Sequence, residues 1–158
     1  MADTARAATG EMPVPAEPEP PSAPPRNLPR SVAAVLAGTL LVIALSVGTD
    51  ELLHFAHVYP GWGYPMPEPG LNLLALAYRC IYNIAGAWLT ARLAPRHPAR
   101  HLWAFATIGF VLGAVGAVAT IPMHLGPAWY PILLALGAWP CTWLGGWAFR
   151  TTARAARG

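Results

Sequence analysis

The sequence predicts an all-α fold: an integral membrane antiparallel four-helix bundle. Three observations lead there. Of the 158 residues, 55% are hydrophobic and only 11% charged, where a soluble domain carries about 25% charged residues. The apolar residues gather into four long runs separated by short segments rich in proline, glycine and arginine. Each run is near the roughly 20 residues that a helix needs to cross the hydrocarbon of a bilayer.

The chain opens with residues 1–29, a Pro/Ala-rich stretch with prolines crowding positions 13 to 29. Such a composition cannot bury enough apolar surface to offset its ordering entropy, so a disordered cytoplasmic tail is expected. It lacks the basic start and short apolar core of a signal peptide. The transmembrane domain is expected over residues 30–150, with a first span over about 31–51. That helix can continue to about His57, since no breaker occurs before Pro60. A loop over 59–69 rich in Pro, Gly and aromatic residues leads to a second span over about 71–92. The segment 93–100, with Pro95 and Pro98, separates it from a third span over about 101–121. The segment 122–127 leads to a fourth over about 128–149, and residues 151–158 form a short basic cytoplasmic tail.

Arginine sets the expected orientation. There is no lysine, and nine of the ten arginines flank the spans. Arg6, Arg26 and Arg30 precede the first span, Arg92, Arg96 and Arg100 surround the middle loop, and Arg150, Arg154 and Arg157 follow the fourth span. The other two loops have none. The positive-inside rule then places both termini in the cytoplasm of a cell inner (plasma) membrane. Aromatic residues mark the interfaces: Tyr59, Trp62, Tyr64, Trp129 and Tyr130 on the outer side, Trp88, Trp103 and Trp147 on the inner. Arginines arranged this way anchor to a lipid bilayer; they form no patch of the kind that binds nucleic acid.

Helix packing inside a bilayer depends on close backbone approach. Gly109, Gly113 and Ala117 recur at spacing four in the third span, and Gly137, Cys141 and Gly145 in the fourth. They either pack the monomer or form an interface with a second copy or another membrane protein. Trp139, Trp143 and Trp147 occupy the opposite face of the fourth span, and Pro140 is expected to kink it. The segments His57–Pro65 and His124–Pro131 echo one another weakly and hint at two related helical hairpins.

The tenth arginine, Arg79, lies inside the second span. An intramembrane arginine costs at least about 2.5 kcal/mol to insert, so it should face the bundle interior and find partners. Asn72, Asn83 and Thr90 share its helical face, and Tyr78 and Tyr82 flank it. The expected counter-charges are Asp50 and Glu51 near the outer end of the first span, within reach of a snorkelling side chain. Such a pair either locks two helices together or lies on a path for protons or ions. A metal site is a further reading of the same corner. Asp50, His54 and His57 are spaced for one helical face, and His124 approaches from the same side. Zinc takes His and carboxylate ligands, although no H-E-x-x-H motif is present. Cys80 and Cys141 are not in a C-x-x-C arrangement, and no motif for an organic cofactor, a nucleotide or a catalytic triad occurs.

The segments Leu-Ser-Val-Gly-Thr-Asp-Glu-Leu-Leu-His (45–54), Val-Tyr-Pro-Gly-Trp-Gly (58–63) and Ala-Tyr-Arg (77–79) carry a family likeness. So do Thr-Ala-Arg-Leu-Ala-Pro-Arg (90–96), Pro-Ala-Trp-Tyr-Pro (127–131) and Trp-Leu-Gly-Gly (143–146). Through them the stretch from about Arg30 to Gly146 resembles a group of uncharacterised short bacterial inner-membrane proteins with four predicted transmembrane helices. The resemblance implies a bacterial inner membrane and assigns no role to any residue. Three function classes follow from the residues. The foremost is a non-enzymatic membrane component or accessory subunit. The others are a small transporter or proton/ion conduit using the polar stripe around Arg79, and a metal-dependent membrane enzyme.

Overall fold

A computed structural model describes residues 28–156. It contains four helices: α1 (Leu28–Phe55), α2 (Pro69–Leu93), α3 (Pro98–Thr120) and α4 (Trp129–Ala155). A short 3-10 turn, Ile121–Met123, caps α3. The expected tail over residues 1–29 lies outside the described residues except for Leu28 and Pro29, which belong to α1. Proline fits the first turn of a helix because the N–H that it lacks has no partner there. The same rule starts α2 at Pro69 and α3 at Pro98.

The ends are as local as the starts. α1 stops at Phe55, and two residues later His57 adopts a left-handed conformation with φ 56°. α3 and its 3-10 turn end the same way, at His124 with φ 53°. The two echoed segments therefore share a left-handed histidine within two residues of a helix end. At the other end of the bundle, His97 (φ 48°) precedes α3. α4 continues past residue 149 to Ala155, so most of the described part of the expected basic tail is helix. The helix also runs through Pro140 without a break.

α1, α4 and α3 with its 3-10 turn are each long and apolar enough to cross a membrane. The sequence expects four such spans, but α2 falls short of that composition. Its polar residues are the reason, and its position in the bundle explains how it carries them. α2 packs against both α1 and α4 and also touches α3, whereas α1 meets α3 only lightly. Asn72, Ala75, Tyr78, Gly86, Ala87, Thr90 and Ala91 are buried along it. Large apolar side chains on the other helices point outward, among them Leu40, Leu112, Val118, Leu136 and Trp143. Such a surface suits lipid and not water.

Small residues let the helices touch. A Cβ on Gly38 of α1 would lie 2.6 Å from the Gly86 carbonyl oxygen of α2. A Cβ on Gly145 of α4 would lie 2.5 Å from the Ile84 carbonyl of α2, and one on Gly113 of α3 would lie 2.8 Å from the Ala135 Cα of α4. Gly109 faces Ala138, Gly137 faces Cys80, and Ala117 and Cys141 are buried. Each of the glycines Gly109, Gly113, Gly137 and Gly145 thus meets another helix of the same chain. Beside the Gly38–Gly86 crossing, Val35, Ala87 and Phe105 form a close-packed cluster.

Candidate functional site

The polar centre lies at the end of the bundle that carries the aromatic loop, here the aromatic end; the opposite end carries most of the arginines. Asp50 in the last two turns of α1 is only 9% exposed. Its Oδ2 lies 2.5 Å from Arg79 Nη2 of α2. Its Oδ1 accepts a hydrogen bond from the Tyr78 hydroxyl. Both carboxylate oxygens are therefore engaged by α2. A third tie follows one residue earlier, where Thr49 Oγ1 and Tyr82 Oη are 2.8 Å apart. The spacing of these residues explains the suture. Thr49 and Asp50 lie in the last two turns of α1, and Tyr78 and Tyr82, four residues apart on α2, are neighbours on one helical face.

The loop after α1 folds back over this centre. His54 Nδ1 bonds the Asp50 carbonyl oxygen at 2.7 Å. The His54 ring stacks on Trp62 at 4.3 Å and meets Tyr59 edge-on at 5.6 Å. Tyr59 is buried, and its hydroxyl donates to the Leu71 carbonyl at 3.4 Å. Burial raises the pKa of this loop phenol above the ordinary value of 10.0. Asn72, 2% exposed, donates from Nδ2 to the carbonyls of Met66 and Glu68 at 2.9 Å each. The Met66 N–H in turn donates to the Leu125 carbonyl at 2.6 Å, joining the two connections of the aromatic end.

Two cavities meet at the ion pair. One, of about 270 Å³, opens at the aromatic end and is lined by His54, Tyr59, Trp62, Asn72 and Tyr130. The other, of about 410 Å³, runs between α1, α3 and α4 and is lined by Val42, Asn83, Phe105, Leu112 and Leu134. Asp50, Arg79, Thr120, Tyr130 and Pro131 belong to both walls. Among the described residues, Arg79 Nε, Asn83 Oδ1 and Thr90 Oγ1 are buried polar atoms without a hydrogen-bond partner.

The structure joins Asp50 to Arg79 and separates the other expected members of the site. Glu51 is exposed and forms no salt bridge among the described residues, because adjacent helical residues point about 100° apart. Asn72 serves the loop, Asn83 faces the larger cavity and Thr90 packs at the Gly38 crossing. The polar stripe is thus three local arrangements. The metal reading needs a correction. His57 lies beyond α1 in the left-handed conformation, so it does not share a helical face with Asp50 and His54. His54 Nδ1 and His124 Nδ1 each bond a backbone carbonyl, of Asp50 and Pro122 respectively. Among the described residues, Asp50, His54, His57 and His124 do not converge as a ligand set.

Three features escaped the sequence. Tyr78 was legible as a neighbour of Arg79, but not as a partner of Asp50. Tyr59 and Tyr130 read as interfacial residues and are cavity walls. The Gly38–Gly86 crossing had a signal: Ala34 and Gly38, and Gly86 and Thr90, repeat at spacing four and are all buried. No family model, curated protein or solved structure matches the chain.

Proposed function

We propose that the chain is a non-enzymatic component of a bacterial inner membrane, an accessory subunit held in shape by the Asp50–Arg79–Tyr78 clamp. In this reading α2 is the fourth span, and both termini and the α2–α3 loop face the cytoplasm. The arginines support that orientation: Arg92, Arg96, Arg100, Arg150 and Arg154 all belong to one end of the bundle. The observation that carries the functional reading is the full engagement of Asp50. With Oδ1 held by Tyr78 and Oδ2 by Arg79, both carboxylate oxygens are tied to α2, as a structural clamp requires.

A conduit is the second reading, favoured by the meeting of two cavities at Arg79. The packing beyond them weighs against it. The Gly38–Gly86 crossing and the Val35–Ala87–Phe105 cluster close the bundle towards the arginine end. Impermeant thiol labelling tests the placement, in a full-length chain whose Cys80 and Cys141 are replaced by alanine. Cysteine at Gly61 reacts from outside intact cells and cysteine at Arg96 reacts only after permeabilisation. The reverse pattern would overturn the orientation. Proton or ion flux through reconstituted vesicles above that of protein-free vesicles would overturn the accessory role.

A further inference from the structure

At the arginine end, a groove of about 180 Å³ lies between α3 and α4. Small residues open it: Ala99 on α3 and Gly146 on α4, where a Cβ would lie 2.6 Å from Leu102 Cδ1. Trp103, Trp139 and Trp143 wall it, and Trp103 meets Trp139 edge-on at 4.9 Å. The lining changes character along its length. Trp139 and Arg150 mark its two ends on α4, about 16 Å of helix rise apart. Arg150 is exposed, and no ion pair engages it among the described residues. Its Nε donates to the Gly146 carbonyl at 3.3 Å, so the two Nη groups are the donors that remain. The surroundings are uniformly basic. Arg30, Arg92, Arg96, Arg100 and Arg154 share this end of the bundle, whereas Asp50, Glu51 and Glu68, the acids among the described residues, stand at the aromatic end.

We infer that this groove binds an anionic glycerophospholipid, with one acyl chain against the tryptophans and the phosphate on Arg150. Charge selects the occupant. With no carboxylate at this end to compete, a guanidinium takes phosphate oxygens through charge-assisted hydrogen bonds. Basic pockets between helices at a membrane surface favour anionic headgroups for the same reason. A zwitterionic lipid carries the same phosphate, but its ammonium group meets the surrounding arginines. The tryptophan walls suit the rest of the lipid, since indole rings sit where headgroups give way to hydrocarbon. The inference rests on the membrane placement proposed above and is independent of the orientation and of the accessory role.

The test uses the full chain in phosphatidylcholine vesicles that contain a small, equal fraction of one of two probes. These are phosphatidylglycerol and phosphatidylcholine with the same photoactivatable acyl chain. The phosphatidylglycerol probe labels residues 99–106 and 139–146 about fivefold more than the phosphatidylcholine probe does. Arg150→Gln lowers that labelling to the phosphatidylcholine level, and Arg150→Lys, which keeps the charge, retains most of it. Arg154→Gln, which removes an equal charge outside the groove, leaves it near the parent value. Ala99→Phe, which fills the groove from α3, blocks it without altering the charge. Equal labelling by the two probes, or labelling spread over lipid-facing residues such as Leu40 and Val118, would show bulk lipid contact only and overturn the inference. An equal loss in Arg154→Gln and Arg150→Gln would show diffuse attraction to the basic end and overturn it as well. Failure of the protein to float with the vesicles would instead overturn the membrane placement, so the two failures are distinguishable.

Discussion

Asp50 Oδ2 and Arg79 Nη2 lie 2.5 Å apart, joining the end of α1 to the interior of α2. The contact reconciles two residues that an apolar bundle would otherwise exclude. A lone arginine or aspartate at membrane depth is costly, and removing one partner of a buried pair leaves the other charge uncompensated. The side chains are 27% and 12% exposed, and both residues belong to the walls of the two cavities that meet there.

The Tyr78 hydroxyl supplies the second half of the clamp. Tyr78→Phe removes the donor to Asp50 Oδ1 and leaves the ion pair in place. The expected loss is about 1–2 kcal/mol, the scale of a hydrogen bond to a charged group, reduced as is common between membrane helices. Thermal unfolding in detergent measures it, and no change would mean that Tyr78 does not hold Asp50.

The α1–α2 crossing depends on a missing side chain. Gly38→Ala would put a Cβ 2.0 Å from Thr90 Oγ1 and 2.6 Å from the Gly86 carbonyl. Backbone cannot yield as a flexible side chain does, so the loss is about 1–3 kcal/mol. Gly116→Ala, with nothing within 4 Å of the new Cβ, leaves stability unchanged or slightly raised. Thermal unfolding of both variants separates close packing from a general intolerance of helix substitutions.

The aromatic loop has an alkaline limit. The folded pKa of Tyr59 is raised, chiefly by burial. Its contribution to stability is therefore fully present below the unfolded value near 10.0 and is lost as pH rises through the folded value. Limited proteolysis of the 56–68 loop should accelerate above that range in the parent chain. Tyr59→Phe removes this component of the pH dependence.

Much of the architecture was legible because bilayer physics leaves few choices. Four helices and their short connections follow from run length, whereas α2 and α3 start at Pro69 and Pro98, before the expected 71 and 101, because proline fits a helix's first turn. The pairing of Arg79 with an acid at the end of α1 was legible because an intramembrane arginine needs one. Which acid it was required three dimensions, since Asp50 and Glu51 differ only by a rotation about α1. His57 was not readable as a left-handed residue, because that conformation usually signals glycine or asparagine. The larger cavity was hidden for a similar reason. Gly109 and Gly113 read as contact residues, but the space beside them depends on α1 and α3 touching lightly.

The central claim is that Arg79 and Asp50 form a fixed clamp, and a double-mutant cycle tests it most directly. Arg79→Leu, Asp50→Asn and their combination are compared for thermal stability in detergent and proton flux in vesicles, with Glu51→Gln as the control. Arg79→Leu should cost about 3 kcal/mol. Adding Asp50→Asn should recover part of that loss, Glu51→Gln should recover none, and flux should stay at the protein-free level throughout. Near-unchanged stability together with a proton flux that disappears in either single variant would contradict the clamp and make the pair part of a pathway.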